Sequence, residues 1–299
     1  MDSSAADEIA STTTTTPPPP AATKEWENIR DDEIMRQQSE IQAEQADKIP
    51  FVADKEPLDA LAAEYQSGSS ILLEKIKVLG NQYSAIRRTR GDGNCFFRSF
   101  MFSYLEHILE TQDKDEVERV KVNVEECKKT LLGLGYAEFT FEDFFGLFLE
   151  QLESVIQGCD TSISHNELVL RSRDQSVSDY VVMFFRFITS GEIRKRSEFF
   201  EPFILGLTNN TVDQFCKSSV EPMGEESDHV HIIALSDALG VAIRVMYLDR
   251  SSCDTSGVSV NHHDFIPEEA TNAAVNGSQI KPFINLLYRP GHYDILYPK

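Results

Sequence analysis

The residues Gly91-Asp92-Gly93-Asn94-Cys95 lead a flexible turn into a segment with apolar residues at 96, 97, 100, 101, 104, 105, 108 and 109. That spacing is helical, so Cys95 stands at a helix N-terminus. Unpaired N–H groups and the positive end of the helix dipole favour a thiolate there, and the same donors suit an oxyanion. The glycines allow a substrate to approach the backbone. A nucleophilic thiol needs these features, but a buried cysteine behind a capping turn also fits the pentapeptide, because free cysteine often serves as core.

A nucleophilic thiol needs a base, usually a histidine far off in sequence and oriented by a third polar side chain. Of the seven histidines, His292 is the best placed. It opens a strand straight after Pro290-Gly291, and Asp294 follows two residues on. Side chains alternate along a strand, so His292 and Asp294 face one way and Tyr293 and Ile295 the other. Asp294 can then hold the imidazole in one tautomer. A surface His and Asp on a hairpin rim would give the same pattern. His229 and His231 also alternate, after Asp228, on a segment read as a strand; a metal site there lacks a third and fourth ligand at recognisable spacing. His262-His263-Asp264 reads as a loop, and His107 and His165 belong to no constellation.

The elements that must position these residues come in two kinds. Leu58 to Tyr65, Ile71 to Tyr83, Phe96 to Leu109, Phe139 to Ile156 and Tyr180 to Ile188 read as helices, the last almost fully buried. Val241 to Leu248 reads as a strand after the Gly240 turn. Phe283 to Tyr297, with its Arg289-Pro290-Gly291 turn, reads as a terminal hairpin. Helices first and strands last predict a mixed α+β domain. Residues 49–299 are expected to form it. Residues 1–48 are expected to be a Thr/Pro-rich disordered tail followed by a polar, helix-prone arm over 33 to 45.

Composition narrows the class. A net charge of −21 in 299 residues argues against nucleic acid and against anionic membranes, both of which call for a clustered basic surface. Five scattered cysteines, Cys95, Cys127, Cys159, Cys216 and Cys253, include no CxxC pair. That pattern disfavours a disulfide framework or structural zinc and predicts a reducing compartment, the cytoplasm or also the nucleus. No signal peptide is visible at Met1-Asp2-Ser3-Ser4. The richest apolar run, Tyr180 to Ile188, is too short to span a membrane and is interrupted by Arg186.

Gly91-Asp-Gly-Asn-Cys-Phe-Phe-Arg-Ser-Phe100 resembles the nucleophile motif of ovarian-tumour (OTU) deubiquitinases, and Tyr288-Arg-Pro-Gly-His-Tyr-Asp-Ile-Leu-Tyr297 resembles the His motif of their otubain branch. Ser176 to Tyr180, Thr189 to Gly191, Val220 to Met223 and Glu226 to Ala234 are otubain-like as well. The similarity runs over roughly residues 30 to 298, several motifs in order, and leaves out the Thr/Pro tail.

The resemblance implies an OTU-type, papain-like α+β fold in which a helix carrying Cys95 packs on a small sheet carrying His292. It implies Cys95 as nucleophile, His292 as base and Asp294 as orienting acid, with Asp92 shaping the oxyanion loop through its backbone. It implies a deubiquitinating cysteine protease that cleaves isopeptide bonds in polyubiquitin, with a preference for chains linked through ubiquitin's own Lys48, and that needs no cofactor and no metal. The implied partners are ubiquitin, polyubiquitin chains and ubiquitin-conjugating enzymes. The arm is placed to touch a proximal ubiquitin. Gly91 stands where animal otubains are expected to carry Pro, which is expected to loosen the loop before Asp92. Two alternatives stay open: a non-catalytic binder of ubiquitin or of a ubiquitin-loaded conjugating enzyme, and a cysteine hydrolase or acyltransferase for an unrelated small substrate.

Overall fold

The computed structural model describes residues 49–66, 68–158, 162–250, 258–268 and 281–299. The expectations for the tail and the arm, residues 1–48, lie outside the described residues. The described residues belong to one compact unit that runs to Lys299.

The C-terminal hairpin organises the unit. β5 (Ile284–Arg289) turns at Pro290-Gly291 into β6 (His292–Pro298), with Arg289 opposite His292 and Leu287 opposite Asp294. Proline pre-sets the first turn position, and Gly291 takes the left-handed second one at φ 74°. β6 also pairs antiparallel with β2 (Tyr83–Thr89), which pairs with β1 (Val52–Pro57). On the other side β5 runs parallel to β3 (Ile243–Tyr247), which pairs antiparallel with β4 (His262–Phe265). The order is β1-β2-β6-β5-β3-β4, which puts the strand bearing His292 and Asp294 inside the sheet.

Strand alternation gives the sheet two buried faces. Tyr293, Ile295 and Leu286 join the main core with the helices α3 (Cys95–Thr111), α4 (Lys114–Gly133), α5 (Glu142–Ser154), α6 (His165–Arg173) and α7 (Gln175–Lys195). Leu287, Leu296, Ile86 and Met246 join a second cluster under α1 (Asp59–Tyr65) and α2 (Ser70–Leu79). The main core is rich in phenylalanine: Phe148 stacks on Phe184 at 4.2 Å, and Phe100 meets Phe185 edge-on at 5.2 Å. Such offset and edge contacts add to area burial, and they anchor α3 from behind.

The predicted α+β architecture is present, with four corrections. Strands also come first: β1 was not anticipated, and β2 begins at Tyr83, where a helix was expected to end. Asn81 and Gln82 bond back to carbonyls of α2 and close it. The segment holding His229 and His231 is a helix, α10 (His229–Leu239), following α8 (Ser197–Thr208) and the single turn α9 (Val212–Phe215). Asp228 caps α10, accepting from Val230 N–H at 2.9 Å. His231 is its N3 residue and is buried, with Nδ1 2.9 Å from Asp228 Oδ1 and Nε2 3.1 Å from Ser219 O. His262-His263-Asp264 is an edge strand rather than a loop, held partly by the Arg244 fork on Asp264, two bonds of 2.6 Å. Last, the long aromatic helix expected over Phe139 to Ile156 begins instead with a 3₁₀ turn at Glu138–Thr140 and becomes α-helical at Glu142.

Candidate active site

Cys95 opens α3 and is buried, at 4% exposure. Its N–H is one of the first-turn donors that have no carbonyl inside the helix. His292 opens β6; its imidazole hydrogen-bonds Asp294 and lies near enough to Cys95 for the thiol to act on its titration. The Nε2–Oδ1 distance to Asp294 is 2.9 Å, which leaves Nδ1 for the thiol side and confirms that His292 and Asp294 share a strand face. Burial alone would lower the imidazole pKa, but the hydrogen bonds and charges of Asp294 and Cys95 outweigh it and raise it to about 9. His292 is therefore ready to be an imidazolium at neutral pH.

Asp294 has no exposed surface. Burial would raise its pKa, yet His292, the Arg289 guanidinium and the Thr89 N–H together hold it below the ordinary carboxylate value. Thr89 N donates to Oδ1 at 3.1 Å, and Arg289 Nη2 donates to Oδ2 at 2.6 Å. A buried carboxylate with this many donors stays ionised and fixed in place.

The turn before Cys95 is braced by side chains. Asn94 N–H donates to Asp92 Oδ1 at 3.1 Å, and Arg98 Nη1 donates to Asp92 Oδ2. Asp92 thus shapes the loop through its carboxylate as well as through its backbone, whose carbonyl accepts from Asn94 Nδ2 at 3.4 Å. Arg98 is itself buried, with Nε on Ser178 Oγ at 3.0 Å, Nη2 on Asp179 Oδ1 at 2.7 Å and its guanidinium 3.9 Å from the Phe51 ring centre. Gly93 (φ 75°) lies so close to Gly224 that an added Cβ would fall 1.7 Å from Gly224 O, so this position excludes every side chain. At Gly91 an added Cβ would meet His292 Nδ1 at 3.5 Å, an ordinary contact.

This arrangement has counterparts among known proteins. A family model described as peptidase C65, otubain, matches residues 44–298. The chain belongs to the otubain family. It is 71% identical over 276 residues to an Arabidopsis thaliana protein named OVARIAN TUMOR DOMAIN-containing deubiquitinating enzyme 1, covering 92% of this chain and 89% of that one. It is 45% identical over 267 residues to human ubiquitin thioesterase OTUB1, covering 89% and 90%. A solved structure titled as a complex of h/ceOTUB1, ubiquitin aldehyde and UBC13~Ub superposes with a TM-score of 0.77 at 36% identity, covering 90% of this chain and 98% of that one.

In this otubain a cavity of about 320 Å³ opens beside Cys95, lined by Tyr247, Tyr288, Tyr293, Glu226 and Asp228 among others. The His229 ring stacks on Tyr247 and reaches its hydroxyl at 2.9 Å, so this histidine serves the cavity wall. Among the described residues no group of three or more His, Cys, Asp or Glu is placed to hold a metal ion. Burial pushes the thiols of Cys127 and Cys216 up to about 12 and about 11. Of the remaining histidines, His107 stacks on Phe283 at 4.0 Å and His165 bonds Glu106 at 2.7 Å, both away from the site.

Sequence reasoning placed Cys95, His292, Asp294 and Asp92 in one site, and the fold brings all of them together. It missed Asn94, Arg98, Arg186 and Arg289 as supports. Arg98 and Arg289 lie inside the quoted motifs, one helical turn beyond Cys95 and next to Pro290. Arg186 registered only as the break in an apolar run; an arginine in such a run is itself a sign of a buried polar anchor.

Proposed function

We propose that Cys95 is the nucleophile, His292 the general base and acid, Asp294 the orienting carboxylate and Asp92 the brace of the oxyanion loop. The observation that carries this reading is the imidazole of His292, held by Asp294 at 2.9 Å and placed beside Cys95 at the start of α3. The chain is a cysteine-type deubiquitinating hydrolase, and its partners are ubiquitin and ubiquitin-conjugating enzymes.

The Cys95 thiolate attacks the carbonyl carbon at ubiquitin's C-terminus and forms an S–C bond. The carbonyl oxygen takes the negative charge, and backbone donors at the start of α3 meet it. The C–N bond to the lysine then breaks as the His292 imidazolium gives its proton to the departing nitrogen. The thioester is hydrolysed by a water that His292 deprotonates. Ubiquitin leaves as its carboxylate, and the thiol–imidazole pair is restored. Each step uses only groups of the protein, the substrate and water.

Chains linked through ubiquitin's Lys48 are the proposed substrate, on the otubain resemblance. A panel of di-ubiquitins of every linkage tests this: cleavage concentrated on the Lys48-linked dimer supports it, and equal cleavage of all linkages defeats it. Binding of a ubiquitin-loaded conjugating enzyme is a second role, supported by the solved complexes. It requires no turnover and should survive Cys95→Ser. A reducing compartment, cytoplasm or nucleus, remains the proposed location on the cysteine pattern.

A further inference from the structure

Arg186, in the middle of α7, has no exposed surface. Nη1 donates to Val220 O at 2.9 Å. Nη2 lies 2.7 Å from Asn94 Oδ1, 2.8 Å from Glu225 O and 3.2 Å from Gly93 O. These acceptors are all neutral oxygens, and they come from two segments far apart in sequence. One is the turn immediately before Cys95. The other is the stretch that leads to Glu226 and Asp228, which line the cavity beside Cys95. The same Asn94 Oδ1 also receives the Gly224 N–H at 3.0 Å, where the backbones of Gly93 and Gly224 touch. Burial pulls the guanidinium down to about 10 against the charges of Glu225 and Asp92, so it stays charged at neutral pH.

Burying a cation whose bonded partners are all neutral oxygens is costly, even with the Glu225 and Asp92 charges acting on it. An apolar residue would fill the space between the helices without that cost. We infer that Arg186 is a positioning residue for acyl transfer: it clips the Gly93–Asn94 turn to the Val220–Glu225 segment and so fixes the backbone that must meet the oxyanion at Cys95. This rests on Cys95 being the nucleophile. Lysine keeps the charge at this position but lacks the planar fork that spans both segments.

The test compares the full-length parent with Arg186→Lys in two reactions. One is hydrolysis of ubiquitin bearing a fluorogenic amide at its C-terminus, which needs the oxyanion donors. The other is alkylation of Cys95 by iodoacetamide, followed by peptide mass spectrometry, which needs the sulfur and its histidine but forms no oxyanion. The expected result is a fall in kcat of about 10- to 100-fold with KM within about threefold, and alkylation at the parental rate within about threefold. If kcat stays within about threefold of the parent, or if hydrolysis and alkylation fall together, Arg186 is structural and the proposal is overturned. Should Arg186→Lys fail to fold, Asn94→Ala removes the shared acceptor without stranding the charge, and the same split is required of it. Hydrolysis that survives Cys95→Ser would remove the nucleophile and this inference together. A parent silenced by Cys95→Ser beside a fully active Arg186→Lys removes this inference alone.

Discussion

Arg289 Nη2 lies 2.6 Å from Asp294 Oδ2, while the other oxygen of the same carboxylate is 2.9 Å from His292 Nε2. The two flanking residues face each other across the β5–β6 hairpin. The turn at Pro290-Gly291 therefore sets at once His292, the proposed base, Asp294, its proposed orienting acid, and the Arg289 cation behind that acid. Arg289 also reaches Glu64 on α1 at 3.2 Å, tying the hairpin tip to the opposite layer.

Removing the base should be worse than removing its support. His292→Ala is expected to abolish measurable turnover. Asp294→Ala should lower kcat by about 10³- to 10⁴-fold, because the imidazole remains but loses its tautomer and aim. Arg289→Met should cost about tenfold, since Thr89 N–H and His292 still hold the carboxylate. Steady-state hydrolysis of a ubiquitin–fluorophore substrate reads all three. A near-parental rate for Asp294→Ala would show that another group orients His292.

The raised His292 pKa fixes the alkaline limb of the rate profile. With the His292 imidazolium as the proposed acid that expels the leaving amine, activity should persist from neutral pH and fall as pH rises through about 9. Asp294→Asn removes a carboxylate that raises this pKa, so the alkaline limb should move to lower pH. The dependence of kcat/KM on pH from 6 to about 10.5 measures the shift. An alkaline limb unmoved by Asp294→Asn would assign it to another group.

Thiol chemistry should be confined to Cys95. A ubiquitin probe carrying a thiol-reactive C-terminus is expected to label the parent and not Cys95→Ser. Cys127 and Cys216, with their pKa values pushed far above neutral by burial, should stay unlabelled. Labelling that disappears only when a different cysteine is replaced would move the nucleophile elsewhere.

Asp92 holds Asn94 N–H with one oxygen and the buried Arg98 with the other. Asp92→Ala should lower stability by about 1–2 kcal/mol, a modest figure because Arg98 keeps Asp179 and Ser178 and the Asp92 side chain is partly exposed. The loss in kcat should be about tenfold or more, through a misplaced turn before Cys95. Urea unfolding and kcat on the same preparation separate the two effects. Unchanged kcat with lowered stability would reduce Asp92 to a structural cap.

The arm over 33 to 45 offers Ile34, Met35 and Ile41 as the apolar residues of an otherwise polar, helix-prone segment. Deleting residues 1 to 46 should raise KM for di-ubiquitin while sparing a single ubiquitin with a small leaving group. Equal efficiency on both substrates after the deletion would make the arm a linker.

Much of the site was legible because its signals are local. The helix after Cys95 announces itself by period, and the shared face of His292 and Asp294 follows from the parity of a strand behind a Pro-Gly turn. Short segments were harder to read. The apolar run Ile232 to Leu235 suits either helix or strand by pattern, and the Asp228 cap with the buried His231 decided for the helix. The polar stretch His262 to Asp264 carries no strand signature of its own; pairing with β3 on one side makes it one.

Residue order by itself determined which side chains are the candidates for the chemistry, since the proposed nucleophile, base and acid each depend on a near neighbour in the chain. Only tertiary structure decided how they are held. Arg186 meets Asn94 across 92 positions, Gly224 meets Asn94 across 130, and Thr89 supports Asp294 across 205. Helical period and strand parity say which way a side chain points, but not what waits there. The partners of a buried charge are set by which layers the hydrophobic core brings together, and that packing depends on the whole chain at once.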